Sequence, residues 1–341
     1  MALVWICQTI RHLGREVQSA SPADPEAAAS KRIDHLQREY QKYIRDTIET
    51  RKTGCTSKNI LRRREWGSLS QKDRRSYIDA VYCLHNNHTT ITPTTDIPGV
   101  RNRYDDFVGA HLLLTPVVHL DGLFLPFHRF YLQLYETALR TECGYTGAHP
   151  YWDWTLSYTD PRQSTMFDGS PWSMGSNGAF AGPFAADTTF RVNLGPVAFE
   201  PVGPDGGFGY NPRCLTRDLS LEAASNTRPT NVSALLEGCA DLACLNVRMD
   251  DPKGGVHGSG HIQVGGIALD RYVDRLWTIW QNLGDPQDRT YQVWGTQTAW
   301  NMPPSDNVTL DTPVPFGSLS DPKPIRELVS TIDGPFCYIY E

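Results

Sequence analysis

The sequence predicts a mainly α-helical protein whose helical core is surrounded by long loops and short strands. Two segments have the apolar spacing of amphipathic helices, from Phe127 to Thr141 and from Tyr272 to Gln281. Ser70 to Asp73 reads as a capping box that opens a further helix. Residues 169 to 231 are instead rich in Gly, Pro, Asn and Ser, which predicts ordered loops with short strands and not a second domain.

Composition excludes several classes of protein. The chain has 341 residues, of which 40% are apolar, so it can bury a large core. Its net charge is −6 and it has no basic run that could follow a phosphate backbone, so we expect no nucleic-acid partner. No apolar run approaches the roughly 20 residues of a membrane span, so we expect no membrane segment.

Residues 1 to 52 are predicted to be an N-terminal extension, and residues 53 to 341 one domain. The apolar run from Ala2 to Cys7 is shorter than a normal signal-peptide core, and no basic residue precedes it. The extension is therefore a poor secretion signal or a pro-region. Residues 22 to 52 are charged and helix-forming, which is typical of a pro-region or of a solvated helix.

Two features favour secretion. Three Asn-x-Ser/Thr sequons, typical of a glycoprotein, occur at Asn87, Asn231 and Asn307. The eight cysteines are scattered, with no C-x-x-C pair, which argues against a zinc–thiolate site and favours disulfides. The sequence alone leaves the pairing open.

Three histidines lie in the apolar stretch from Tyr104 to Arg140. His111 belongs to a helix predicted from Tyr104 to Leu114, and His119 to the loop that follows. Gly122 and Pro126 are expected to interrupt regular structure before a helix that carries His128 in its first turn. Neutral imidazole is the commonest protein ligand for copper, zinc and iron, so this spacing predicts one metal ion. The alternative is that these are hydrogen-bonded core histidines.

A second histidine pair follows in a glycine-rich segment. His257 and His261 are four residues apart, which on a helix places both rings on one face. Gly258 and Gly260 weaken that helix, so a loop with incidental histidines is the alternative. A zinc protease pair would need Glu directly after His257, where Gly258 stands. Imidazole groups on two separate segments fit copper better.

Several blocks resemble the type-3 copper proteins, the tyrosinases and catechol oxidases of the short ascomycete kind. YDDFVGAH, FLPFHR and PYWDW resemble the copper A half of that family, and FDGSPWSMGSNG its middle section. GGVHGSGHIQVGG and VDRLWTIWQ resemble the copper B half, and CYIY the motif that ends the catalytic domain. Together these blocks run from about Cys55 to Tyr340.

The resemblance implies a copper-dependent oxidoreductase with a four-helix bundle that holds two copper ions. Its ligands are implied at five histidines: His111, His119 and His128 for copper A, and His257 and His261 for copper B. Asp274 matches an acidic position that orients a ligand from behind. The implied reaction is oxidation of small o-diphenols by O2 to o-quinones, with monooxygenation of monophenols as a further option.

Two departures from the family pattern limit this expectation. The family supplies a third copper B histidine just before the VDRLW helix, but no histidine follows His261 here. The chain has an apparent deletion after Gly266, and Asp270 is a poor replacement for imidazole on the soft Cu(I) ion. Val117 stands where fungal members often carry a thioether-forming cysteine, so no such bridge is expected. The copper B half is therefore predicted to be incomplete.

The missing ligand keeps a second class of function open. The chain could be a catalytically inactive, degenerate member of the family, or a protein that only binds O2 or copper. An O2 carrier needs both coppers, so the deletion counts against it as much as against an enzyme. A degenerate subunit is compatible with the deletion.

Overall fold

The computed structural model describes residues 24–195, 204–251, 254–265 and 271–341. This part of the chain forms ten α-helices: α1 (Pro25–Glu49), α2 (Gln71–Asn86), α3 (Arg103–Leu114), α4 (Phe124–Thr141), α5 (Leu221–Ser225), α6 (Pro229–Gly238), α7 (Leu242–Met249), α8 (Val256–Ile262), α9 (Arg271–Gln281) and α10 (Pro286–Thr290). It also forms four short strands: β1 (Leu61–Arg63), β2 (Pro313–Val314), β3 (Lys323–Pro324) and β4 (Tyr338–Tyr340). The predicted mainly α-helical class is confirmed.

The predicted helices α2 and α4 both form, with one correction. Ser70 caps α2, and its hydroxyl accepts a hydrogen bond from the Asp73 N–H. Helix α4 begins at Phe124, three residues before the predicted start, so Pro126 lies inside the helix and does not delay its start. The N–H groups in the first turn of a helix have no partner within the helix. Proline, which has no N–H, is therefore tolerated there.

Helix α1 belongs to the main hydrophobic core, so its interpretation as a solvated helix is wrong. One face of it is buried in that core: Ile33, Leu36, Tyr40, Ile44 and Ile48. The Tyr340 N–H donates to the Tyr40 hydroxyl, which joins α1 to the last strand. The part of the predicted extension formed by residues 1–23 lies outside the described ranges.

The glycine-rich segment after residue 169 forms loops without the predicted short strands, as far as the described residues go. Only isolated bridges occur there, such as Gly178 with Arg217 and Val192 with Arg213. Among the described residues, strands pair only as the parallel pair β1–β4 and the antiparallel pair β2–β3. The parallel pair joins residues nearly 280 positions apart and closes the core.

Three disulfides form among the described residues, as the cysteine pattern predicts: Cys55–Cys337, Cys83–Cys143 and Cys239–Cys244. The first ties the start of the core to the residue before β4. The third links the end of α6 to α7 across a tight turn. In the described ranges, none of the helices combines the length and the apolar character needed to cross a bilayer.

Candidate metal centre

Three of the predicted histidines converge into one cluster. His111 lies in the last turn of α3, His119 in the turn that follows, and His128 in α4. One ligand atom from each lies within 4.8 Å of the others. His111 and His128 are buried and His119 is partly exposed. Two helices and the connection between them therefore supply three imidazoles to one point.

Backbone carbonyls set the orientation of two of these rings. His128 Nδ1 hydrogen-bonds the Phe124 carbonyl at 2.7 Å, and His119 Nδ1 the Thr115 carbonyl at 3.0 Å. Each carbonyl accepts, so each Nδ1 carries the proton and Nε2 is the nitrogen that would take a metal ion. His128 Nε2 lies 3.4 Å from His111 Nε2. The ring tautomers are thereby set for metal binding.

The second histidine pair faces the first cluster. His257 and His261 lie on α8, with their Nε2 atoms 2.6 Å apart. The His257 ring stacks against His119 at a centroid distance of 5.9 Å. Phe124 lies 4.8 Å from both His128 and His257, again between ring centroids. The predicted helical spacing is thus realised despite two glycines, and the two groups share one pocket.

A carboxylate that sequence reasoning missed connects the two groups. Asp250, just after α7, accepts a hydrogen bond from His257 Nδ1–H at 2.7 Å. Its other oxygen accepts a hydrogen bond from the N–H of Leu120, also at 2.7 Å. Leu120 directly follows His119 in the chain. Burial alone would raise the pKa of Asp250, but the hydrogen bond from His257 and the nearby imidazoles hold it below its ordinary value. An acidic residue seven positions before the H-x-x-x-H pair was the available signal.

The turn after His119 is held on both sides. Leu120 has a left-handed backbone with φ = +59°, which is uncommon for a bulky residue and costs about 1–3 kcal/mol. Its N–H is bound by Asp250, and its carbonyl accepts from the Trp300 N–H at 3.1 Å. One turn before Asp250 on α7, the Asn246 amide donates to the Asp121 carbonyl. These contacts hold His119 in place.

Asp274, predicted to orient a ligand, binds arginine and tyrosine side chains. This buried carboxylate on α9 accepts from Arg129 Nε, from Arg63 and from the hydroxyls of Tyr338 and Tyr340. None of these partners in the described ranges is a histidine. Arg129 directly follows His128 on α4, so Asp274 anchors the helix that carries this histidine. Its charge is needed because two buried guanidinium groups surround it.

Trp154 of the PYWDW block packs closely against α8. A β-carbon added to Gly260 would lie 2.2 Å from the Trp154 ring. Trp154 also packs on Tyr272, with ring centroids 4.7 Å apart. Gly260, which has no side chain, therefore permits the close approach of α8 and the Trp154 indole.

Gly260→Ala is expected to lower the free energy of unfolding by about 1–2 kcal/mol, because overpacking exceeds the gain in helix propensity. The same displacement of α8 should weaken metal binding by His257 and His261. Thermal unfolding and copper titration measure the two effects. Gly254→Ala is the control, since an added β-carbon there meets nothing within 4 Å. Equal behaviour of the two variants would contradict this packing role.

A second grouping of possible ligands does not form a metal site. Cys83, His88 and Cys143 lie close together, but the two sulfurs are joined in a disulfide and offer no thiolate. His85 lies in the last turn of α2, where it stacks on Phe190. Among the described residues, the histidines of α3, α4, α8 and the turn after α3 are the ones that converge.

The donor set fits copper in one half and fits it partly in the other. Three imidazoles within 4.8 Å suit an ion with nitrogen ligands, and no cysteine takes part. The second half has two imidazoles whose Nε2 atoms converge. The apparent deletion after Gly266, and Asp270 beside it, fall on residues 266–270, outside the described ranges.

Comparison with known proteins gives one consistent result. Residues 101–283 match the family model for the common central domain of tyrosinase. The chain is 36% identical over 340 residues to tyrosinase P of Aspergillus terreus, covering 84% of this chain and 93% of that protein. It is 34% identical over 345 residues to the N-acetyl-6-hydroxytryptophan oxidase ivoB of Emericella nidulans, covering 84% and 94%.

A solved structure extends this likeness to the fold. A variant polyphenol oxidase from Thermothelomyces thermophila superposes with a TM-score of 0.79 at 32% identity. The match covers 93% of this chain and 97% of that one. With the tyrosinase model spanning more than half of its length and five histidines meeting in one pocket, this chain belongs to the tyrosinase family of copper oxidoreductases.

Proposed function

We propose that this protein oxidises o-diphenols to o-quinones with O2, using copper held by the clustered histidines. The observation that carries the proposal is the convergence of three imidazoles within 4.8 Å, facing a second histidine pair across Phe124. Similarity to a polyphenol oxidase and to a tyrosinase supports the same reaction class. Two diphenol molecules each lose two electrons and two protons. One O2 takes up the four electrons and four protons and becomes two molecules of water.

The proposal assigns a role to each group of residues. His111, His119 and His128 hold copper A, and His257 and His261 hold copper B. When bound, the copper pair supplies O2 activation and electron transfer. Asp250 keeps the Nδ1 proton of His257 in place, so that Nε2 faces the metal.

The burial of His111, His128 and His257 limits the access of water to the pocket. Exclusion of water strengthens every electrostatic interaction inside the pocket. The protein thus contributes a dry, oriented set of imidazoles, and the metal pair contributes the redox chemistry.

The second copper is proposed to bind weakly. Two histidines give it an incomplete ligand set, and a carboxylate at Asp270 would suit Cu(I) poorly. We infer that copper A fills first and that copper B is lost on dialysis. A catalytically inactive family member is the second candidate function, and the same missing ligand favours it.

The substrate is proposed to be a diphenol in preference to a monophenol. Gly258 follows His257 and offers no polar side chain that could assist deprotonation of a monophenol. The named substrate of one relative is a hydroxylated tryptophan derivative, which keeps fused aromatic phenols among the candidates. An o-aminophenol is a further option with the same two-electron chemistry.

Copper loading tests the proposed function directly. The purified chain, saturated with copper, is expected to turn 4-tert-butylcatechol into its quinone with O2 uptake, but not 4-tert-butylphenol. After dialysis against a chelator, about one copper per chain should remain and activity should vanish, because copper B has two ligands. Metal analysis and oxygen uptake measure both results. Two retained coppers would refute the weak second site, and no quinone at saturating copper would favour the inactive alternative.

Secretion is proposed on separate grounds. The sequon residues Asn87, Asn231 and Asn307 are exposed, as N-glycosylation requires. Three disulfides in one chain are typical of oxidising compartments. A shift in mass after glycosidase treatment of the natural protein would support export.

A further inference from the structure

The block FDGSPWSMGSNG, residues 167–178, contains no histidine and so supplies no imidazole to the metal centre. We call it the middle loop. Its own backbone closes it, because the Gly169 N–H donates to the Gly175 carbonyl at 3.1 Å and the Met174 N–H to the Met166 carbonyl at 2.7 Å. A loop fixed in this way can hold a side chain that lies against it.

The side chain held by the middle loop is that of Arg217. The Gly178 N–H donates to the Arg217 carbonyl at 2.7 Å, and the Arg217 N–H to the Gly178 carbonyl at 3.1 Å. The guanidinium carbon lies 5.2 Å from the centroid of the Phe167 ring. A β-carbon added to Gly175 would lie 2.7 Å from Arg217 Nη1, so glycine leaves room there for the guanidinium.

Other arginines that point inward have partners for their charge. Arg63 and Arg129 form ion pairs with buried carboxylates. Arg213, four residues before Arg217, donates to two backbone carbonyls. Within the described ranges, the Arg217 side chain makes neither a hydrogen bond nor an ion pair. It is a cation without a counter-charge in this part of the chain.

The surroundings of Arg217 remove water from its charge but leave a path to solvent. Burial lowers the pKa of Arg217 to about 10, and the nearby Tyr104 phenol offsets this only in part. A phenol is neutral at neutral pH, and a dehydrated charge without a partner is strongly unfavourable. Arg217 is still partly exposed, and its side-chain nitrogens are not fully buried. A dissolved anion can therefore reach it.

The segment that carries Arg217 also lies against the end of α8. A β-carbon added to Gly265 would lie 2.5 Å from the backbone nitrogen of Asp218. The Ser220 N–H donates to the Gln263 carbonyl at 3.0 Å. The segment is thus attached to the helix that carries the histidine pair of the metal centre.

We propose that Arg217 and the middle loop form a binding site for a small carboxylate anion. A carboxylate is planar and accepts two parallel hydrogen bonds from one guanidinium group. Its single negative charge balances the single positive charge of Arg217. A phosphate dianion would instead leave a net negative charge in a partly dehydrated site. The site requires neither bound copper nor the proposed oxidase reaction.

The metal-free full-length protein tests the site. It is titrated with sodium acetate by calorimetry and by thermal unfolding, with sodium chloride holding the ionic strength constant. One acetate per chain should bind and raise the melting temperature. Arg217→Gln should abolish both effects, and Arg217→Lys should weaken acetate binding about 10-fold or more, because a point charge cannot replace the paired hydrogen bonds. Arg162→Gln is the control, since Arg162 already pairs with Asp160 at the surface.

Unfolding in chloride alone distinguishes a binding role from a structural one. Because the Arg217 guanidinium has no ion pair to lose among the described residues, Arg217→Gln should melt in chloride at the temperature of the unaltered protein. Acetate that stabilises the unaltered protein no more than chloride, or that binds Arg217→Gln equally well, overturns the proposal. If Arg217→Gln does not fold, Arg217→Lys decides, and an unchanged affinity for acetate in that variant overturns the site.

The carboxylate can be a free anion or part of a phenolic molecule. The copper-loaded protein is therefore titrated with acetate, 5-methylresorcinol and 3,5-dihydroxyphenylacetate, whose hydroxyl groups cannot form an o-quinone. If the last compound binds more tightly than the other two, and Arg217→Gln loses this gain, the carboxylate belongs to a phenolic ligand. If it binds with the affinity of acetate, and Arg217→Gln loses both, the site takes free carboxylates. Binding of either carboxylate that does not depend on Arg217 overturns the proposal.

Discussion

Replacement of Asp250 by Asn is expected to weaken copper binding by the His257–His261 pair about 10- to 100-fold, the usual effect of removing a group that orients a ligand. Both Asp250 oxygens accept hydrogen bonds, one from His257 Nδ1–H and one from the Leu120 N–H. An asparagine side chain has a single accepting oxygen, so it can satisfy only one of these donors. Affinity at the three-histidine site should fall less, because Leu120 is still held through Trp300.

Competition with a chelator of known copper affinity measures both sites of the Asp250→Asn protein. Asp187→Asn is the matched control, since it removes the same charge from an exposed position. Thermal unfolding of the metal-free proteins separates folding from positioning. If Asp250→Asn lowered only the melting temperature and left copper affinity unchanged, the carboxylate would be structural and the assignment would fail.

Replacement of Asp274 by Asn is expected to lower the free energy of unfolding by about 3–5 kcal/mol, because it leaves buried positive charge uncompensated. Arg129 Nε lies 2.6 Å from one Asp274 oxygen, and Arg63 lies 3.3 Å from the other. Both arginines are fully buried, and Glu136 compensates only Arg63. The variant keeps the shape of the side chain, so lost charge and not a cavity causes the change.

Denaturant unfolding compares Asp274→Asn with Asp46→Asn, whose partner Lys42 is exposed. The exposed pair should change stability very little. A loss of stability at Asp274 no larger than at Asp46 would show that the two arginines find other partners and do not depend on Asp274.

The pH dependence of stability gives a second measurement of the same network. Burial alone would raise the pKa of Asp274, but Arg129, Arg63 and two tyrosine hydroxyls hold it below the ordinary value. The folded carboxyl therefore stays ionised at a pH where the unfolded one takes up a proton, so its contribution is complete above the ordinary Asp range and declines as the pH falls below it. Asp274→Asn should lack this acid-dependent part.

Local sequence patterns predicted the helices and the helical spacing of the histidine pair well. Apolar spacing indicated α4 and α9, and the i, i+4 spacing placed His257 and His261 on one helix face. These properties depend on residues a few positions apart, so a sequence states them directly. The predicted start of α4 and the predicted short strands in the glycine-rich loops were wrong. Single prolines and glycines indicate where a helix or strand can end, but they do not show how each segment packs.

Contacts between distant residues decided the rest. Asp250 meets Leu120 across 130 positions, and Asp274 meets Arg129 across 145. No local pattern distinguishes the carboxylate that hydrogen-bonds a histidine, Asp250, from the one that binds a buried arginine, Asp274. The sequence by itself determined that five histidines of the tyrosinase pattern are present. Only the tertiary structure decided which buried groups orient them, because hydrogen bonds and burial depend on the packing of segments far apart in the chain.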